Sequence, residues 1–372
     1  MKIIIGILIF CLVLFVYLHI QFHLKTSEDL EMYEIDNASK NKLEEICDIR
    51  QPILFDFDNK DIIDNTNKQY ITDNYHAFEI KIRNTNDDNS NTELYIPLPL
   101  HSSVKLFNED KQSLYYSENN FDFLEETGIV KTMKYNDEFL RPYMVSNCNY
   151  DILMGSNGTT TPFRYKLNYR NYFMITQGSA QIKLAPPHSI KYLYPNYDYE
   201  NFEFKSPINP WNPQPKYVAD FSKIKCLEFT LLPGKTLFLP AYWWYSIKFD
   251  NNTSISCFHY RTYMNNLAII PYFTLHALQL QNVKRDVAKK INKDISQENI
   301  LLPSSPTPTE PKVPTTTSSQ YDNQTAITTP PTAFISSNSD MTPNTSAPTS
   351  VVEQTSSSID QLPTSVSTNL PI

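Results

Sequence analysis

The chain has 372 residues, 41% of them hydrophobic, enough for a substantial core in one large domain with appendages or in two small ones. A formal charge of -8 argues against a nucleic-acid partner, because phosphate binding depends on clustered cations that release counterions. The five cysteines include no C-x-x-C pair, match no zinc pattern and read as free thiols, with a disulfide among the four after Cys11 left open for an oxidising compartment.

The first predicted element is "IIIGILIFCLVLFVYL", an uncharged stretch whose apolar character continues to Leu24, long enough to span a bilayer. A cleaved signal peptide would have a shorter apolar run and a small-residue cleavage site. Here "HIQFHLKTSEDL" follows, so residues 1–25 are expected to be an uncleaved single-pass membrane anchor. Lys2 and the amino terminus face Lys25 and two histidines across the segment, close to a draw by the positive-inside rule. The orientation adopted puts the short amino-terminal stub in the cytosol and the bulk of the chain on the extracytoplasmic side.

Residues 26–150 read as the amino-terminal part of one folded domain, with the β-rich runs "QPILFDF", "YHAFEIKI" and "TELYIPLPL" broken by Asn-Asp clusters. The densest strand pattern lies in residues 151–262, whose regular spacing and turn signals predict a mainly β barrel or sandwich core. Residues 263–302 carry apolar positions at helical spacing in "YFTLHALQLQNVKRDVAKKINKDI" and should form a helical segment packed on the barrel or on a partner. In residues 303–372, 40 of 70 are Ser, Thr or Pro, so this tail cannot bury enough surface to offset its ordering entropy and is expected to be disordered. Such a tail would accept O-glycans outside the cytoplasm. The sequons at Asn37, Asn157, Asn251, Asn252, Asn323 and Asn344 occur about as often as chance allows in this composition and do not decide the compartment.

Within residues 151–262 the motifs "TTTPFRYK", "NYFMITQGSAQIKLAPP" and "LLPGKTLFLPAYWWYSI", closed by "SISCFHYRTY", occur in order, with about 80 residues between Arg164 and Tyr245. Together they resemble the cupin-like JmjC family, especially its asparaginyl-hydroxylase branch of iron and 2-oxoglutarate dependent oxygenases. "EEICDIRQPILFDF" extends the likeness weakly toward the amino terminus. The resemblance implies a double-stranded β-helix with flanking helices. It also implies an Fe(II) site in which two imidazoles and one carboxylate occupy one face of the metal.

The ligand positions that the resemblance marks are Arg164, Lys166 and Tyr245, so all three ligands are replaced. A cation about 4 Å from a dication costs about 8 kcal/mol at an effective dielectric near 20, and there are two such cations. The lysine that holds the co-substrate carboxylate in the family corresponds to Ala180, and the closing-strand asparagine to Phe258. Thr161 and Asn171 match family pocket positions and equally fit structural roles at strand ends. Neither metal nor cofactor is therefore expected, and the chain reads as a pseudoenzyme.

Two readings of Arg164 and Lys166 follow. Inward carboxylates or solvent neutralise them, since unpaired buried charge is costly. Alternatively, Thr161, Arg164, Lys166, Asn171 and Tyr245 form a pocket in which fixed positive charge captures a small anionic ligand. The function expected is a membrane-anchored, non-catalytic binding or structural module for such a ligand or for a protein partner. The alternatives are an oxygenase with an atypical metal site, and a surface glycoprotein whose tail is the working part. Composition, anchor and degenerate site together are similar in style to proteins carried by large DNA viruses of protists.

Overall fold

The computed structural model describes residues 1–36, 38–86 and 95–281. Its first helix, α1 (Lys2–Leu24), is apolar on every side, as a membrane span must be, and its side chains are exposed along most of its length. By length and composition it is the one helix among the described residues able to cross a membrane.

The segment that follows is richer in helices than the β-rich runs suggest. Strand β1 (Tyr33–Ile35) and β2 (Ile53–Asp56) flank α2 (Lys40–Cys47), and α3 (Lys60–Thr66) and α4 (Lys68–Tyr75) come next. Ser39, Asn59 and Asn67 each accept a backbone N–H of the helix they precede, so part of the Asn-Asp punctuation marks helix starts rather than turns between strands. Then come β3 (Glu79–Asn84), β4 (Ile96–Pro99), α5 (Leu100–Glu109), β5 (Tyr115–Ser117), α6 (Phe121–Glu126) and α7 (Ile129–Asn136). The fold is therefore mixed α/β, a correction to the mainly β expectation.

From β6 (Val145–Gly155) the chain alternates between two sheets through β7 (Arg164–Tyr165), β8 (Arg170–Gln177) and β9 (Ala180–Ala185). A lobe follows, with β10 (Asn196–Asp198), β11 (Glu203–Lys205) and α8 (Val218–Phe221). Strands β12 (Leu227–Leu231), β13 (Lys235–Pro240), β14 (Trp244–Phe249) and β15 (Ser254–Thr262) complete the sheets, and α9 (Tyr263–Ala268) and α10 (Ile270–Gln281) end the described chain. The predicted helical segment is thus present over residues 263–281. Its remainder and the Ser/Thr/Pro tail lie outside the described residues.

The larger sheet runs β1-β2-β13-β8-β15-β6-β5-β3-β4 and the smaller β10-β11-β7-β14-β9-β12, antiparallel apart from the β1–β2 pair. Phe173, Leu237, Ile255 and Cys257 of the larger sheet share one buried cluster with Ile182, Leu184, Tyr245 and Ile247 of the smaller. The sheets therefore pack face to face, consistent with a cupin sandwich. Period-two alternation sends the intervening residues Tyr172, Phe258 and Tyr260 outward, into a second core beneath the helices of residues 40–136. Gly178 closes the β8–β9 turn at φ +71°, where an added Cβ would lie 2.9 Å from backbone atoms of Asn251, Asn252 and Thr253, so neither conformation nor space admits another residue. All five cysteines are free.

Candidate functional site

The strand pair at the heart of the site is short. Arg164 lies directly opposite Tyr245 in the β7–β14 register, and its guanidinium carbon is 5.7 Å from the Tyr245 ring centre. Lys166 follows two residues later, and its Nζ is 3.0 Å from His259 Nε2 on β15. The three positions marked by the family resemblance thus come together at one end of the sandwich, and the larger sheet faces them with His259, Cys257 and Asp151.

Arg164 is engaged by carboxylates through both of its terminal nitrogens. Its Nη1 donates to Glu118 Oε1 at 2.9 Å, its Nη2 donates to Glu118 Oε2, and Glu203 Oε1 lies 3.4 Å from Nη1. Arg83 on β3 completes the arrangement, donating to both oxygens of Glu203 at 2.7 and 3.1 Å and to Glu118 at 3.1 Å. Tyr95 and Tyr116 donate their hydroxyls to the same Glu118 oxygen. All four charged side chains are buried, and paired, multiply hydrogen-bonded geometry is the condition under which buried charges persist. Burial alone would raise the Glu118 carboxyl, but Arg164, with Arg83 and Lys166 behind it, holds it well below the usual carboxylate range.

Asp151 positions Glu118. It accepts the backbone N–H groups of Asn119 and Asn120, each at 2.8 Å, and that of Ile152 at 2.9 Å. Asn119 sits at φ +59°, a left-handed conformation that Asn tolerates, and this turn swings Glu118 inward. Burial pushes the Asp151 carboxyl up to about 6, against the lowering effect of the Asn120 N–H and Lys166. Lys166 is pushed down by burial and then by Arg164, and His259 is held well below its usual value by burial and by Lys166. A neutral His259 therefore accepts from the Lys166 ammonium.

The five residues expected to share a pocket do not all do so. Arg164 and Lys166 line a cavity of about 190 Å³ with Asn149, Asn168, Phe202 and Arg261, but Thr161, Asn171 and Tyr245 do not line it. Thr161 Oγ1 accepts the Ile247 N–H at 2.9 Å, and Asn171 donates to the carbonyls of Asn168 and Leu239, so both tie strand ends together. Tyr245 is buried among the apolar side chains between the sheets. Ala180 opens β9 opposite Leu231 and Phe249 and is fully buried. Phe258 faces away from the site, into the outer core with Tyr150, and the inward residues of that strand are Cys257 and His259. Both tryptophans of the motif pair, Trp243 and Trp244, are fully buried.

Glu118, Glu203, Arg83, Asp151 and His259 are site residues that the motifs did not mark. Four of them come from strands or turns outside the motif segments, where no spacing marked them as inward-facing charge. His259 was visible in the closing strand, and its approach to Lys166 depends on the packing of the two sheets.

A profile of the family described as cupin-like domain matches residues 23–265. HSPB1-associated protein 1 of Bos taurus is 33% identical over 104 residues, covering 28% of this chain and 22% of that protein, and the Homo sapiens protein is likewise 33% identical over 104 residues. The Danio rerio homolog is 27% identical over the same length, covering 23% of its own chain. The match thus spans about a fifth of the length of these curated relatives. The iron implied by the family resemblance does not suit the residues present. An ion-paired arginine, a lysine and a phenol ring occupy the positions that would hold it, and no group of three His, Cys, Asp or Glu side chains suited to a metal occurs among the described residues.

Proposed function

The chain belongs to the cupin-like domain family, and from that premise we propose that its sandwich, with residues 151–262 as the core, is a binding or structural module rather than an oxygenase. The observation that carries this reading is the Arg164–Glu118 pair. A carboxylate gripped by both nitrogens of a buried guanidinium fills the place where a metal would need open coordination positions. Tyr245 packs its ring beneath that guanidinium and supplies no imidazole.

The module is tethered to a membrane by α1, whose 23 residues reach about 34 Å at 1.5 Å per residue. Its lower end is part of the domain. His23 is buried within 3.2 Å of Thr262, and Arg50 lies between the rings of Phe22 and Tyr169 at 4.8 and 4.6 Å. A helix gripped in this way at its carboxy-terminal end supports an anchor over a segment removed on processing, and the reading adopted from the flanking charges has the bulk of the chain on the extracytoplasmic side.

The test uses the full chain purified in a non-ionic detergent. Iron content and 2-oxoglutarate turnover are measured on the same sample after reconstitution with Fe(II). A binding module shows neither stoichiometric iron nor turnover, and the appearance of both would establish an oxygenase instead.

A further inference from the structure

Among the described residues, the site holds one more cation than its carboxylates account for. Arg83, Arg164 and Lys166 are matched in number by Glu118, Glu203 and Asp151, but Arg261 lines the same cavity and adds a fourth cation. Neither Lys166 nor Arg261 has a carboxylate within ion-pair distance among the described residues. The hydrogen-bond partner of Lys166 is the neutral imidazole of His259. That of Arg261 is an amide oxygen, with Nε donating to Asn168 Oδ1 at 2.6 Å.

Arg261 is also held in place. Its guanidinium carbon lies 5.8 Å from the Phe202 ring centre and 5.6 Å from that of Phe273, which fixes the plane of the fork and lowers the entropy lost when it grips a ligand. The residue borders a second cavity of about 300 Å³ with Asn149, Asn168 and His259, so it stands between two spaces. A half-buried ammonium and a clamped guanidinium, flanked by carboxamides with Glu203 also on the wall, suit a carboxylate or phosphate group, and Asp151 and Glu118, beyond ion-pair distance of Lys166, repay its desolvation only in part. Burial lowers the affinity of both groups for their protons, a penalty that a bound anion would reverse.

We infer that Lys166 and Arg261, with Asn149 and Asn168 beside them, form a binding site for a small oxyanion, a carboxylate or phosphate group. The inference rests on the reading of the domain as a binding module and gives that module its ligand class. It also moves the anion contact from Arg164, which is committed to Glu118, to Arg261.

The experiment is calorimetric titration of the full chain in non-ionic detergent, stripped of metal with EDTA, using succinate and inorganic phosphate as separate probes. At least one probe should bind, and Lys166→Gln and Arg261→Gln should each weaken binding at least tenfold, with further weakening as sodium chloride rises. The two probes distinguish a carboxylate site from a phosphate site. Failure of both to bind, or equal binding by wild type and both variants, overturns the inference. If Arg261→Gln loses its cooperative melt, Lys166→Gln decides alone, since Lys166 makes no ion pair among the described residues and its hydrogen-bond partner is an imidazole. Iron binding with turnover would overturn the module reading instead, and the metal-free titration does not depend on that result.

Discussion

Arg164 holds Glu118 through both of its terminal nitrogens, and the two residues come from opposite ends of a 46-residue separation in the chain. The pair is buried, and it shares its carboxylates with Arg83. Removing one partner leaves the other as a buried charge with fewer contacts, which is more damaging than removing both.

Arg164→Ala should therefore destabilise the domain by about 3 kcal/mol, the lower part of the range for breaking a buried pair, because Arg83, Tyr95 and Tyr116 still reach Glu118. Arg164→Met combined with Glu118→Leu should recover part of that loss. Urea unfolding midpoints with their slopes measure both. An Arg164→Ala protein within about 0.5 kcal/mol of wild type would show that the pair does not hold the fold together.

Asp151 gives the stability a sign opposite to that of Glu118. Its folded value of about 6 lies above the ordinary 3.8, so the folded state retains the proton more strongly, and this contribution is present at low pH and lost as pH rises through about 6. Glu118, held low, contributes fully above its ordinary 4.5, and that contribution declines progressively as pH falls below it. Asp151→Asn should carry a fixed penalty, because its amide must face the Asn119 N–H, and should also remove the decline in stability between about pH 4 and 6. The readout is the difference between urea midpoints of the two proteins across that range. A constant difference at every pH would rule out the titration of Asp151 as its source.

Much of the sandwich was legible because local pattern encodes it. The order of motifs, the two-residue spacing of Arg164 and Lys166, and the tryptophan pair before Tyr245 all depend on neighbours along one strand. The register places Tyr245 opposite Arg164 as that pattern requires. The face of Phe258 was misjudged by one residue, and with period-two alternation a slip of one exchanges the inside for the outside. Glu118 and Glu203 were out of reach because they meet Arg164 only through tertiary return of the chain. The helices of residues 40–136 left readable marks in the capping residues Ser39, Asn59 and Asn67, which resemble turn signals until the following N–H groups are counted.

Helix α1 and the domain meet at Phe22 and His23, and this sets where the chain can be cut. If α1 is the membrane attachment, deleting residues 1–18 should release the protein from membranes. Deleting residues 1–25 should also release it but lower its melting temperature by several degrees, because Arg50 loses the Phe22 ring and Thr262 loses His23. Alkaline extraction of membranes tests release, and thermal unfolding compares the two truncations. A protein that stays with the membrane after either deletion has another attachment.

Restoring the ligand set tests whether the scaffold still presents a metal site. Replacing Arg164 with His, Lys166 with Asp and Tyr245 with His puts two imidazoles and a carboxylate on the strand pair whose register already sets Arg164 against Tyr245. The same changes take away the cations that oppose a dication and leave Glu118 without its principal partner, so a bound metal also offsets the charge that Arg164 had balanced. The triple variant should take up Fe(II) or Co(II) near one equivalent by metal analysis and gain thermal stability with it, while wild type takes up neither. Turnover of 2-oxoglutarate should stay absent, since Ala180 offers the co-substrate carboxylate no cation. Metal uptake equal to wild type would show that the strands no longer hold the three positions in ligating geometry.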